Sequence, residues 1–311
     1  MEQHIPVLME EVLEGLAVRP DGTYWDGTFG GGGHSGRVLA QLGPDGRLHG
    51  SDRDDVAEAR AGAFASDSRF SFHRGAIEDV IDLIPNGLAG FLWDLGTSMM
   101  QLKEADRGFS FKEDGPLDMR MDRRQETTAA DLVNNLPEGE LADLIYMYGE
   151  ERLSRRIARQ IVAARQEHPI ETTGALAELC RRAYPKRYHR IDPATRTFQA
   201  LRIAINNELD MLRHQLPRAA AKLAEGGRAV IISFHSLEDR IVKHTFRELS
   251  ETGEFAVLTK KPRVAAEEES RLNPASRSAK LRVLERCIPG SEPRSKGRRR
   301  REAYRKKGAQ P

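Results

Sequence analysis

Residues 26–36 read Asp26-Gly27-Thr28-Phe29-Gly30-Gly31-Gly32-Gly33-His34-Ser35-Gly36. Upstream, Pro20-Asp21-Gly22 marks a turn and Tyr24-Trp25-Asp26 reads as a short strand. Downstream, Ser35 to Leu42 reads as a helix that Gly43-Pro44-Asp45-Gly46 ends. A glycine run between a strand and a helix lets a ligand approach the backbone, which side chains would block. The N–H groups opening the helix then face an anionic group. The next strand, Arg47 to Asp52, ends on an acid 20 residues after Gly32, where a carboxylate can accept from ribose hydroxyls.

Working outward, the Ala-rich run Val56 to Phe64 reads as a helix and Arg69 to His73 as a third strand. Phe91-Leu92-Trp93-Asp94 is an apolar strand ending in an acid. Strands alternating with helices predict a parallel sheet covered on both faces. Residues 106–124, rich in Gly, Asp, Arg and Met, read as a long ordered loop, and 131–186 as helical, with Leu153, Ile157 and Ile161 four apart. One helix from Thr197 to Leu216 would align Phe198, Leu201, Ile205, Leu209 and Leu212. The β/α pattern then resumes with a strand at Arg228–Phe234 and a helix at Leu237–Leu249. The division expected is a Rossmann-like α/β sheet in two parts, 1–124 and 197–290, with an inserted helical unit over 125–196 and a basic tail over 291–311.

The 311 residues fit about two domains. No run of 18 apolar residues predicts a membrane span, and the acidic, polar start does not read as an export signal. The two cysteines, Cys180 and Cys287, lie far apart and outside any CxxC pair. They exclude a disulfide framework and a cysteine zinc site, and suit a cytoplasmic location. The net charge is +2, yet Arg294 to Lys307 carries nine Lys/Arg against one acid, Glu302, so the body is mildly acidic. Such a tail is either a solvated end or a contact with polyanions. Arg152, Arg155, Arg156 and Arg159, and Arg181, Arg182, Lys186, Arg187 and Arg190, are candidates for phosphate contact.

The glycine loop alone admits two ligands. Gly31, Gly33 and Gly36 satisfy the dinucleotide pattern G-x-G-x-x-G, which is a weak signal. S-adenosylmethionine would use the same loop for its amino-acid end and the same acid for its ribose. Asp94, at a strand's carboxyl end, should face the cofactor or an incoming amine, unless it is only a turn residue. The Asp/Asn/Ser-Pro-Pro-Tyr/Phe motif of many base-amine methylases is absent. His235-Ser236-Leu237-Glu238-Asp239 lacks the G-x-S-x-G elbow of a hydrolase. His235 and Asp239, spaced i, i+4, lack a third ligand, so no metal is expected. Ser236 reads as a helix cap or an RNA contact.

The chain resembles the bacterial 16S ribosomal RNA (cytosine-4-amino) methyltransferases of the MraW/RsmH type. The likeness runs through His4-x-Pro6-Val7-Leu8, the 26–35 loop, Asp94-Leu95-Gly96, Arg107-Gly108-Phe109-Ser110-Phe111 and Gly115-Pro116-Leu117-Asp118-Met119-Arg120-Met121-Asp122. It continues through the 193–203 block from Pro193 to Ile203, then Ile232 to Arg240 and Arg277 to Arg282. Where the family usually has Leu-Gly-Val-Ser-Ser-Pro-Gln, this chain has Leu95-Gly96-Thr97-Ser98-Met99-Met100-Gln101.

The resemblance implies a class I methyltransferase fold with a helical insertion and S-adenosylmethionine as donor. The implied acceptor is a decoding-region cytosine of 16S rRNA in the small ribosomal subunit. Gly32, Gly33 and His34 would line the methionine end, Asp52 would hold the ribose, Ile77 would pack near the adenine, and Asp94 and Gln101 would complete the cofactor site. Asp94, helped by Ser98 or the Leu95 carbonyl, would orient the amine. The loop from Arg107 to Asp122 would close over the base, with Phe109 and Phe111 either stacking on it or serving as ordinary core aromatics. Further RNA candidates are Arg107, Asp118, Arg120, Arg196 and His235. A nicotinamide dehydrogenase and a non-enzymatic ribosome-binding factor are the competing classes. Monomer and homodimer are both open.

Overall fold

In a computed structural model the described residues are 6–185 and 191–290. His4, the basic positions Lys186, Arg187 and Arg190, and the tail from 291 lie outside them.

The strands are β1 (Thr23–Asp26), β2 (Arg47–Asp52), β3 (Phe70–Arg74), β4 (Leu88–Asp94), β5 (Leu223–Ser233), β6 (Phe255–Val257) and β7 (Lys280–Arg286). They form one seven-stranded sheet in the order β3-β2-β1-β4-β5-β7-β6. All pairings are parallel except those of β7, which runs antiparallel to both β5 and β6. β4 is buried along nearly its whole length, as expected of a parallel strand covered on both faces. On one face Trp25, Phe91 and Trp93 pack with Leu212, Leu216 and Phe246. Trp25 and Trp93 meet edge to face at 5.6 Å. On the other face Tyr24, Leu92, Val230 and Ile232 are covered by Val12, Leu13 and Leu16 of the helix Met9–Leu16. Strand order reverses between β1 and β4, so the crevice for a ligand opens at their carboxyl ends.

Between β4 and β5 the chain builds a second core. Helices Ala129–Asn135, Glu138–Gly149, Ser154–Arg165 and Thr173–Arg182 bury Val133, Leu141, Ile145, Ile157, Ile161, Leu176 and Cys180 against Phe198 and Leu201. Phe109, Leu117, Met119 and Met121 join from the preceding loop, so this core takes residues from both sides of 125–196.

The single helix expected over 197–216 is two helices, Thr195–Ile205 and Glu208–Ala221. Asn207 takes a left-handed conformation, φ 49°, which asparagine tolerates better than most residues. The side chain of Asn206 accepts from the Met121 N–H at 2.8 Å and donates to the Met119 carbonyl at 2.9 Å. The break therefore fastens the long loop to the junction of the two helices. Apolar spacing alone missed it, because the periodicity continues across both helices.

Candidate active site

Three strands end on aspartate: Asp26 on β1, Asp52 on β2 and Asp94 on β4. Asp26 is 4% exposed and accepts from the Thr28 N–H at 3.1 Å and the Ser35 hydroxyl at 2.7 Å. It thus pins both ends of the glycine turn. Asp52 accepts from the Gly30 N–H at 2.8 Å and the Asp54 N–H at 3.0 Å. Thr28 Oγ1 accepts from the Asp94 N–H at 2.6 Å. The turn is thereby tied to all three strand ends. Burial pushes all three carboxyls up to about 6. For Asp94 the nearby His34 opposes that rise, while Asp26 and Glu238 add to it.

The glycines divide by role. Gly32 adopts φ +76°, and a Cβ there would meet the Phe29 and Phe64 rings at 2.7 and 2.9 Å. A Cβ on Gly33 would lie 2.4 Å from Pro6 Cγ. These two let the loop close on the protein itself. Gly31 would meet nothing within 4 Å and has no left-handed strain. Its open face is where a ligand can reach the backbone. Gly31→Ala should therefore leave unfolding stability within about 0.5 kcal/mol of the parent, as for a neutral surface change, yet weaken cofactor binding. Calorimetric titration beside a melting curve would check this, and equal stability loss would place the glycine's role in folding.

His34 is buried, with Nε2 2.9 Å from the Val7 carbonyl and Nδ1 3.7 Å from Asp94 Oδ2. Asp94 Oδ1 is enclosed with no hydrogen-bond partner among the described residues. Ile77 is buried where the helix Ile77–Val80 leaves the β3 end.

Ser98 caps the helix Met99–Lys103. Its Oγ accepts from the Gln101 N–H, while Gln101 Oε1 accepts from the Ser98 N–H. Gln101 Nε2 donates to Asp54 Oδ2 at 2.7 Å. Gln101 thus links this helix to the β2 end through Asp54.

Three RNA candidates need correction. Arg107 is 2% exposed; its guanidinium donates to both Asp54 oxygens and to the Arg120 and Met121 carbonyls. It is the internal clasp of the loop. Phe109 is buried in the second core, and half-buried Phe111 packs on that core's edge, edge to face on Phe198 at 4.8 Å. The composition of 106–124 predicts an ordered loop, and its apolar groups help to build the second core. Asp118 and Arg120 form a bidentate pair with each other. Arg196 is exposed and donates to the Glu150 carbonyl.

His235 caps the helix Ser236–Glu251, with Nδ1 accepting from the Glu238 N–H. Glu208, His235 and Glu238 bring ligand-type atoms within 4.8 Å of one another. The Arg202 guanidinium donates to both Glu208 oxygens, at 2.9 and 3.0 Å, and supplies the positive charge that such a cluster requires. Sequence reading did not single out Asp26, Thr28, Asp54 and Glu238 as functional. For Asp26 a signal was present, since it closes β1 as Asp52 closes β2.

The site suits S-adenosylmethionine on its own chemistry. Carboxyls that are buried (Asp26) or half-buried (Asp52, Asp94) surround an open glycine backbone, and one carboxyl oxygen of Asp94 lacks a partner among the described residues. Such a pocket favours a ligand carrying positive charge, as a sulfonium with an α-amino group does. A dinucleotide fold of the common kind has order 3-2-1-4-5-6 in parallel. Here reversed β7 sits between β5 and β6 instead, which counts against the dehydrogenase.

The sheet order, the reversed β7 and the acid-tipped strands around a glycine turn define a class I methyltransferase. The sequence pattern of the MraW methylase family matches residues 1–287. The chain is 48% identical over 307 residues to Ribosomal RNA small subunit methyltransferase H of Trichlorobacter lovleyi, covering 91% of this chain and 98% of that one. It is 50% identical over 288 residues to the protein of the same name from Solibacter usitatus, covering 91% and 99%. A putative rRNA-methylase from Clostridium thermocellum of known structure aligns with TM-score 0.44 at 11% identity, over 92% of this chain and 99% of that one. The chain belongs to the MraW methylase family. No helix among the described residues is long and apolar enough to cross a membrane.

Proposed function

We propose that the protein methylates the 4-amino group of one cytosine in the decoding region of 16S rRNA, within the small ribosomal subunit, using S-adenosylmethionine. The observation that carries this is Asp94, whose orphaned carboxyl oxygen lies at the switch point beside the glycine turn. Gly32, Gly33 and His34 would hold the methionine end, Asp52 the ribose and Ile77 the adenine edge, with Gln101 bracing Asp54 behind them. When bound, the cofactor supplies an electrophilic methyl on sulfur.

The chain's own work is to place the amine. A cytosine amino nitrogen delocalises its lone pair into the ring. Asp94, accepting one N–H, would turn that lone pair toward the methyl. Holding the two at about 3–3.5 Å supplies much of the rate. The base must also leave its stack, at a cost of a few kcal/mol, unless the RNA already presents it.

The helical unit over 125–196 would grip the RNA. Arg152, Arg155, Arg156 and Arg159 are exposed around the start of the helix Ser154–Arg165. No acid pairs with Arg152, Arg155 or Arg156 among the described residues. Replacing these three with alanine should weaken RNA binding across sequences. The slope of log affinity against log salt should flatten by roughly 0.7–0.9 for each phosphate that is no longer neutralised. Cofactor affinity should stay as in the parent. An unchanged slope in filter binding would remove the surface from the interface.

The deciding experiment offers labelled methyl donor with small ribosomal subunits and, separately, with naked 16S RNA, then maps the product base. Label on the amino group of a single cytosine is expected. Label elsewhere, or none on either substrate despite cofactor binding, would overturn the proposal.

A further inference from the structure

Methylating an amino group releases a proton, which some group at the site must receive. We propose that His34 and Asp94 form a proton-holding pair, in which Asp94 takes the proton from the substrate amine and His34 Nδ1 shares it. This rests on the methyl-transfer reading above.

The geometry carries it. A carbonyl only accepts, so the 2.9 Å contact with the Val7 carbonyl places the ring proton on Nε2. The Nδ1 lone pair is then left facing Asp94 Oδ2 at 3.7 Å. In the neutral Nε2–H tautomer that gap holds no proton, and one added proton would bridge it after a small rotation. The imidazole is buried and held at its far end, so it cannot turn its other nitrogen to Asp94 without losing Val7.

The remaining charged groups acting on Asp94 are Asp26 at the β1 end and Glu238 of the helix Ser236–Glu251. Both are acids, and both favour keeping a proton at this spot. Asp26 already accepts from Thr28 and Ser35, and Glu238 from the Phe234 N–H. Neither has the vacant edge that Asp94 has.

The step balances as follows. The amino nitrogen's lone pair forms the new N–C bond. The S–C bond breaks, and sulfur keeps its electron pair as a neutral thioether. The nitrogen, briefly cationic, gives a proton to Asp94 Oδ2, which shares it with His34 Nδ1 until product leaves and solvent removes it. His34 acts through Asp94 and is a positioning residue.

The test uses the full chain and two readouts. His34→Gln keeps an amide N–H within reach of the Val7 carbonyl but cannot take up a proton. It should fold like the parent, and because His34 would also line the methionine end, turnover is compared at saturating cofactor. Turnover on small ribosomal subunits should fall by about 10²-fold, the low end for lost acid–base help, and recover as pH rises and solvent accepts the proton. Nitrogen-15 imidazole spectra of the ligand-free protein should show His34 as the Nε2–H tautomer, with an Nδ1 resonance that moves in Asp94→Asn. An Nδ1–H tautomer, an Nδ1 signal indifferent to Asp94→Asn, or a His34→Gln pH profile matching the parent would each overturn the pair. Failure of the unaltered protein to methylate RNA would instead sink the underlying reaction, and that arm is read separately.

Discussion

Asp94→Asn is expected to lower turnover by about 10²–10³-fold, the range for losing one preorganised charge-stabilising or proton-accepting group. Cofactor affinity should fall far less than turnover, because the glycine turn and Asp52 remain. The reason is directional: a carboxylate accepts on both oxygens, whereas an asparagine can turn its NH₂ toward the substrate amine. The pH dependence gives an independent check. Burial holds the Asp94 proton up to about 6, and only the ionised form can accept from the amine. The parent rate should climb as pH rises through about 6 and level above it, and that limb should vanish in the variant. Single-turnover methyl transfer beside calorimetric titration would measure both. Equal losses in rate and in affinity would reduce Asp94 to a cofactor contact.

The same burial links stability to pH. Asp26, Asp52 and Asp94 keep their protons to about 6 in the folded chain, against 3.8 ordinarily. The folded state therefore binds protons more strongly than the unfolded one. Their stabilising contribution is full below 3.8 and is lost as pH rises through about 6. A positively charged ligand in the pocket would offset part of that loss.

The second large effect belongs to Arg107, although it is shielded from solvent. Arg107→Met should destabilise the protein by roughly 3–5 kcal/mol, the cost of leaving one partner of a buried pair uncompensated. The stranded partner is Asp54. Burial would raise its carboxyl, but hydrogen bonds from Arg107, Gln101 and the Val56 N–H hold it below the ordinary carboxylate range. Adding Asp54→Asn should recover much of the loss, since no buried charge then remains. Urea unfolding of both singles and the double closes the cycle. Additive losses would show that the two side chains act independently. Turnover should fall as well, because Asp54 also anchors Gln101 and, through it, the cap formed by Ser98.

The sheet was readable because each short apolar run stops at an acid or a turn. Tyr24-Trp25-Asp26, Arg47 to Asp52 and Phe91 to Asp94 fall inside observed strands, and the carboxylates at their ends fall at the crevice. Local pattern could not reveal what distant segments do to one another. The Asn206-Asn207 break is specified by the carbonyl and N–H of a loop some 85 residues away. Phe109 and Phe111 read equally as stacking or as core aromatics, because the residues that they pack against arrive later in the chain. Helix Met9–Leu16 and strands β6 and β7 were not read at all, being short or of mixed polarity, with their partners remote.

That remoteness sets a timetable for the chain's synthesis. β7 is last in sequence among the strands yet lies inside the sheet, between β5 and β6, so neither neighbour is complete until Lys280–Arg286 is made. The N-terminal strap behaves alike. Pro6 lies against Gly33, but the Leu8 N–H finds its acceptor, Glu269, only 261 residues later. At about 5–20 residues per second the gap is on the order of 10–50 s. The glycine turn is made well before Glu269, the residue that fastens the strap beside it. A nascent copy therefore carries an unfinished sheet and an unfastened strap until Glu269 and β7 have been made.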